Sequence, residues 1–207
     1  MLLNPFERRL VSGGLRRQVL RRWDVPRWKQ LGADFTEQTV LEIGCGCGHG
    51  VAAAYELLGA KEVHAFDPDL QMVRTARQTL TRHGLFSRRP AVQLWQGEAT
   101  SIPGGGASYD AVMSFQVLHH VEDWRLALEE LARVLKPGGS LFLAESLRGF
   151  VEHPIWGRWM EHPAEDRFAL ADLEAELERH GFEIQGRRGR GRWMIWLHAK
   201  KARRVSP

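Results

Sequence analysis

The chain has 207 residues, enough for one domain with a buried core, and its 43% hydrophobic and 26% charged content is that of an ordinary globular protein. No apolar run approaches the roughly 18 residues of a membrane span; the N-terminus lacks an apolar signal core followed by a small-residue cleavage site, so a cytoplasmic location is expected. The formal charge of +4 is mild and gathers at Arg8-Arg9, Arg16-Arg17, Arg21-Arg22, Arg187-Arg188 and from Lys200 to Arg204, a pattern of solvated surface, with attraction of an anionic substrate, nucleic acid or a membrane surface as the sharper reading.

Residues 1–38 are basic and aromatic. Helical spacing runs from Leu10 to Trp28, interrupted at Gly13-Gly14 and ended near Pro26, which predicts a cap of one or two short helices beside the core or over a ligand mouth. A regular alternation then begins, spanning residues 39–145. Strands are predicted at Thr39–Ile43, Glu62–Phe66, Ala91–Trp95, Tyr109–Phe115 and Ser140–Ala144. Between them, helices are predicted at Gly48–Leu58, at Asp69–Gly84 with Leu70, Val73, Ala76 and Leu80 on one face, and at Asp123–Leu135 with Leu128, Leu131 and Leu135 on one face. Lys136-Pro137-Gly138-Gly139 reads as a helix stop. Near-continuous apolar strands alternating with helices argue for a parallel sheet covered on both sides. The rhythm breaks over residues 146–168, read as a substrate-side insertion. Residues 169–199 carry a helix, Leu170–Arg179, and two strands, Phe182–Gln185 and Trp193–His198, joined as an antiparallel hairpin by a Gly/Arg-rich connection. One domain is expected, with no repeat and no linker.

The segment Val40-Leu41-Glu42-Ile43-Gly44-Cys45-Gly46-Cys47-Gly48 reads as strand, glycine-rich turn and helix start, and Asp67 closes the next strand. That pattern suits a small cofactor with a ribose and an adenine at the carboxyl ends of parallel strands. It is not a P-loop, since no Gly-Lys-Ser or Gly-Lys-Thr follows. A carboxylate at Glu42 would face a pyrophosphate badly but suits the ammonium of an amino acid. Asp67 can accept two ribose hydroxyls, Asp69 reads as a helix cap, and Glu98 with the Ala99 N–H can read an adenine edge. Cys45 and Cys47 are too close for a disulfide and lack clustered partners, so no metal site is expected.

These segments, with Phe66-Asp67-Pro68-Asp69-Leu70-Gln71-Met72-Val73, Gly97-Glu98-Ala99-Thr100-Ser101-Ile102-Pro103, Val117-Leu118-His119-His120-Val121-Glu122-Asp123-Trp124 and Arg133-Val134-Leu135-Lys136-Pro137-Gly138-Gly139, resemble the class I S-adenosylmethionine-dependent methyltransferases. Within them the chain is similar to the ubiquinone/menaquinone C-methyltransferase-like subgroup. The resemblance implies a Rossmann-like α/β fold: a seven-stranded, mostly parallel sheet with helices on both faces and a C-terminal antiparallel β-hairpin. It implies S-adenosylmethionine as cofactor and S-adenosylhomocysteine as product. Glu42 would lie near the methionine ammonium. Gly44, Cys45, Gly46, Cys47 and Gly48 would line the methionine and ribose, and Asp67, with Pro68 and Leu70 nearby, would hold the ribose. Met72, Glu98 and Ala99 would meet the adenine, and Phe115 and Gln116 the methionine part. Cys47 stands where many relatives have a small hydroxyl residue, and Glu98 replaces the commoner aspartate.

Methyl transfer needs an acceptor atom held in line behind the methyl carbon, and a base only where the acceptor carries a proton. His120, and after it His119, are the base candidates, because a neutral imidazole is available near pH 7. Candidate walls for a small apolar or aromatic acceptor are Trp23, Trp28, Trp124, Trp156, Trp159 and Met160, with Arg167 as an anchor for an anionic group. An RNA-modifying methyltransferase, a non-catalytic cofactor-binding protein and a nicotinamide oxidoreductase are the rival readings. The acceptor, the atom methylated and the choice between monomer and homodimer are not written in the residues.

Overall fold

The computed structural model describes residues 14–88, 92–153, 167–189 and 191–203. Seven strands form one sheet: β1 (Thr39–Ile43), β2 (Glu62–Asp67), β3 (Val92–Gln96), β4 (Tyr109–Phe115), β5 (Leu135–Ser146), β6 (Phe182–Gly189) and β7 (Met194–Lys201), in the order β3-β2-β1-β4-β5-β7-β6. The first five run parallel, while β7 is antiparallel to both β5 and β6. The Rossmann-like class I methyltransferase fold, with its terminal hairpin, is therefore present.

Strand alternation divides the core in two. Val40, Ala111, Met113, Phe142 and Ala144 face one side, under α2 (Val25–Gln30), α3 (His49–Leu58) and α4 (Leu70–Arg82); α1 (Gly14–Val19), ahead of α2, buries no residue. Leu41, Ile43, Val112, Leu141 and Leu143 face the other, under α5 (Trp124–Val134) and α6 (Leu170–Arg179). Short helical turns at Leu85–Arg88, Leu118–His120 and Arg148–Val151 complete the described elements. Asp69 caps α4, its carboxylate accepting from Gln71 N at 2.8 Å, and Asp123 caps α5, accepting from Leu126 N at 2.9 Å.

Local readings are corrected in three places. Pro26 does not end a helix; it sits in the first turn of α2, which continues directly from a π-helical turn at Leu20–Asp24 that joins it to α1. Helix α5 ends at Val134, and Lys136-Pro137-Gly138-Gly139 belongs to the start of β5, where Gly138 at φ +78° and a register shift opposite Tyr109/Ala111 absorb the turn residues. Strands β6 and β7 reach further than periodicity suggested, because pairing with each other carries β6 on through Arg187 and Arg188. Among the described residues, no helix is long and apolar enough to cross a membrane, and no group of three His, Cys, Asp or Glu could hold a metal ion.

Candidate active site

Strand β1 has β2 on one side and β4 on the other, so the chain reverses its direction of travel across the sheet at β1/β4 and opens a crevice beyond the strand ends. Register decides what meets there. Ile43 is level with Phe66 and Ser114, and Phe115 with Ala144. The residues just past those pairs, Gly44, Asp67, Gln116 and Glu145, therefore gather at one end of the sheet. Gly44, Asp67 and Gln116 border a cavity of about 760 Å³.

The glycine turn forms its floor. Gly44 (φ +62°), Gly46 (φ +49°) and Gly48 (φ +81°) all take left-handed backbone angles. At Gly44 a Cβ would stand 2.5 Å from Val117 Cγ2, whereas at Gly46 it would meet nothing within 4 Å, leaving that backbone open to a ligand. Asp67 Oδ2 accepts from Gly46 N at 2.9 Å and Oδ1 from Asp69 N at 2.9 Å, which ties the turn to the end of β2.

Glu42 is buried beneath the turn. Its Oε2 has no hydrogen-bond partner among the described residues, and its other oxygen lies where a Cβ on Gly50 would fall. Burial lifts the Glu42 carboxyl well above the ordinary range; Asp67 adds to this, while Arg16 and the Val51 N–H oppose it. Burial first, then the neighbouring Glu42, pushes the Cys45 thiol up as well, so it stays protonated.

Glu145 is fully buried near the end of β5. Its Oε1 accepts from Ser114 Oγ at 2.7 Å, Val117 N at 3.0 Å and Leu118 N at 3.2 Å, and its Oε2 lies 2.8 Å from His119 Nδ1. The carboxylate thus faces His119 Nδ1, the arrangement in which a carboxylate oxygen accepts from an Nδ1–H imidazole. The His120 ring packs 4.2 Å from that of His119. The Gln116 backbone is held in the left-handed region at φ +63°, and its side chain is fixed at both ends, Nε2 donating to Ala144 O at 3.1 Å and Oε1 accepting from Ser146 Oγ at 2.5 Å.

A methyltransferase domain family matches residues 41–143. An uncharacterized methyltransferase of Mycobacterium tuberculosis (strain ATCC 25618 / H37Rv) is 33% identical over 159 residues, 69% of this chain and 75% of that protein. The chain belongs to the class I S-adenosylmethionine-dependent methyltransferase family. A demethylmenaquinone methyltransferase of Paenarthrobacter aurescens (strain TC1) is 32% identical over 145 residues, 68% of this chain but 51% of that protein. The chain spans about half the length of several of the curated relatives it matches. An S-adenosylmethionine-dependent methyltransferase from Aquifex aeolicus superposes with a TM-score of 0.73 over 96% of this chain and 99% of that one; at 20% identity this speaks to the fold alone.

In this chain the residues singled out from sequence separate. Glu42, Gly44, Cys45, Gly46, Cys47, Asp67, Pro68, Met72, Glu98, Ala99, Phe115, Gln116, His119 and His120 all line the one cavity. Gly48 instead packs on Ala76, and Leu70 is largely exposed on the first turn of α4. The tryptophan walls need correcting. Trp28 is fully buried one layer behind the cavity, stacked on Phe115 at 4.1 Å with its Nε1 donating to Leu143 O, and Trp124 is core beneath α5. Trp23 lies at the surface under Arg27. Arg167 pairs with Glu152 at 4.0 Å and is not among the described residues of the cavity wall. Trp156, Trp159 and Met160 lie outside the described residues. Sequence reading missed Arg16, Glu145 and Ser146. Glu145 had a signal, an acid directly after an apolar strand as at Glu42; Arg16 had none, one among many N-terminal arginines.

Proposed function

We propose that the chain transfers the methyl group of S-adenosylmethionine to a small apolar or aromatic acceptor whose nucleophilic oxygen or nitrogen carries a proton, with His119 as the base. The observation that carries this is that His119, held from behind by the buried Glu145, lies on the wall of the same cavity as the glycine turn. The residues present fit the cofactor: the open Gly46 backbone suits a ribose-bearing chain, and the unpaired Glu42 Oε2 suits its ammonium. Asp67 would hold the ribose, and Glu98 and Ala99 the adenine. The cofactor supplies an electrophilic methyl on a sulfonium, the sulfur keeping the electron pair when the methyl leaves.

The remaining work is done by side chains. Glu145 holds the His119 ring in one tautomer, so that Nε2 takes the acceptor's proton as its heteroatom gains the methyl. Leu15, Val19, Leu126, Phe150 and Met194 share the cavity wall and favour an apolar body. His119 is preferred over His120 because it is the ring held by the buried acid.

The test is calorimetric titration with S-adenosylmethionine, S-adenosylhomocysteine and NAD, repeated with Asp67→Ala, followed by methyl-labelled cofactor and fractionated cell extract. Binding of both sulfur compounds, weakened in the variant, and label in the low-mass apolar fraction are expected. Label in RNA would move the reading to an RNA-modifying enzyme, and binding of NAD alone would overturn it.

A further inference from the structure

The loop after β4 begins at a strained residue. Among the described residues three non-glycines take left-handed φ: Glu37 (+59°), Ala107 (+55°) and Gln116 (+63°). The first two lie on exposed loops, whereas Gln116 borders the cavity. Its backbone N donates to Ala144 O at 2.8 Å, and its side chain reaches the same strand, Nε2 to Ala144 O at 3.1 Å and Oε1 to Ser146 Oγ at 2.5 Å. Ser146 is 3% exposed and borders the cavity too. Glycine would take this angle without strain; the position carries an amide instead, held by three bonds to β5. Strain kept in place by surrounding contacts gathers at functional sites.

The hydrogen positions follow from these bonds. Ala144 O can only accept, so the amide atom facing it is the nitrogen, and the amide oxygen faces Ser146. That oxygen cannot donate, so the Ser146 hydroxyl proton is committed to it. What remains is fixed in sign. Gln116 keeps one uncommitted amide N–H, and Ser146 Oγ keeps lone pairs but no proton; neither side chain makes another hydrogen bond among the described residues. His119 borders the same cavity three residues further along, and Phe150 and Met194 supply apolar wall, Met194 lying opposite Ser146 on β7.

We propose that the Gln116–Ser146 pair selects methyl acceptors in which the reacting aromatic hydroxyl has a carbonyl on the neighbouring ring carbon. The carbonyl oxygen accepts from the uncommitted Gln116 N–H while the hydroxyl turns to His119. A second donor on the ligand would meet that N–H head to head. A carboxylate would set its other oxygen against the Ser146 lone pairs, whereas a carbonyl has one oxygen to place. A hydrocarbon there would leave the amide N–H without a partner, and that cost makes the pair selective. This rests on the function proposed above and narrows its acceptor class. Gln116 touches the acceptor, and Ser146 acts through Gln116 as a positioning residue.

The experiment titrates ortho-hydroxyacetophenone, ortho-ethylphenol and para-hydroxyacetophenone into the full chain saturated with S-adenosylhomocysteine. The first two share one skeleton and differ in the carbonyl oxygen; the third carries that oxygen on the far side of the ring. Wild type is expected to bind the ortho ketone about tenfold more tightly than either of the others, the size of a hydrogen bond otherwise left unmade. Gln116→Gly, which takes the left-handed angle without strain, should bring all three within about twofold of one another. Gln116→Asn, which also tolerates that angle but whose amide is one methylene short, should do the same and serves as the second variant should glycine unfold the loop. Ser146→Ala leaves the amide unpinned and should keep only part of the preference. Failure of wild type to bind the ortho ketone, equal binding of the ortho ketone and ortho-ethylphenol, or a preference retained in Gln116→Gly and Gln116→Asn would overturn the selection while leaving the cofactor assignment standing. No binding of S-adenosylhomocysteine would remove the proposed function, and the selection with it.

Discussion

Glu145→Gln separates the role of Glu145 in holding the fold from its role in setting a tautomer. The carboxylate has no hydrogen to give, so His119 donates from Nδ1 and keeps a lone pair on Nε2. Glutamine has nearly the same shape. Its carbonyl oxygen can stay on Ser114, Val117 and Leu118, which places the amide nitrogen opposite Nδ1. Two N–H groups do not share a hydrogen bond, so the ring proton moves to Nε2 and the base is lost. Turnover on a proton-bearing acceptor should fall about 10²–10⁴-fold, the usual contribution of a positioned base, while stability falls by only about 1–2 kcal/mol as one charge-assisted bond becomes neutral. Glu145→Ala differs: it strands one buried hydroxyl and two backbone N–H groups, which at about 1–3 kcal/mol each implies a loss of at least about 3–5 kcal/mol. For a chain of this size that lowers Tm by about 6–20 °C. Nitrogen-15 NMR of the neutral His119 ring reads the tautomer without any acceptor, and thermal melts read the stability. A wild-type ring protonated on Nε2, or a ring unchanged in Glu145→Gln, would refute the reasoning.

Three further outcomes are expected. Because the folded Glu42 carboxyl titrates well above the ordinary 4.5, the native state keeps a proton that the unfolded chain releases; stability therefore falls as pH rises from 4.5 towards the lifted value. Glu42→Gln should remove that slope, raise Tm at neutral pH and weaken S-adenosylhomocysteine; parallel Tm–pH curves for the two proteins would contradict this. Gly44→Ala must displace Val117 and should cost at least about 1–2 kcal/mol without ligand. Gly46→Ala meets no atom, so its main effect should be loss of the melting shift that S-adenosylhomocysteine induces, read by scanning fluorimetry. Trp28→Ala should cost about 3–5 kcal/mol in urea unfolding, since it empties a fully buried ring and leaves Phe115 without its stacking partner; a near-neutral result would place Trp28 outside the core.

Much of the fold and half of the site were legible in the residues because they rest on local rules. Apolar runs of strand length, the left-handed turn at Gly44–Gly48 and the caps at Asp69 and Asp123 each follow from neighbours a few positions away. Strand ends carry ligands in a parallel sheet, so Glu42, Asp67 and Phe115 could be named from where their strands stop. The tryptophans could not be placed that way. Composition counts eight of them but holds no information on which face of the chain each meets; Trp28 is core because α2 sets its ring on Phe115 and its Nε1 on Leu143 O, far away in sequence.

What the chain alone determined was the alternating α/β pattern and the glycine turn after β1, both set by periodicity and backbone conformation. Only the tertiary structure decided which histidine meets Glu145 and which arginine enters the cavity. His119 and His120 are adjacent and chemically identical; β4–β5 pairing sets Glu145 beside the loop after β4, and its Oε2 meets the ring of His119. Arg16 is one of many arginines in its segment, and it reaches the cavity because Asp24, held by Trp196 of β7, anchors its side chain there. Both choices depend on contacts between residues distant in sequence, which no local pattern of apolar and polar residues encodes.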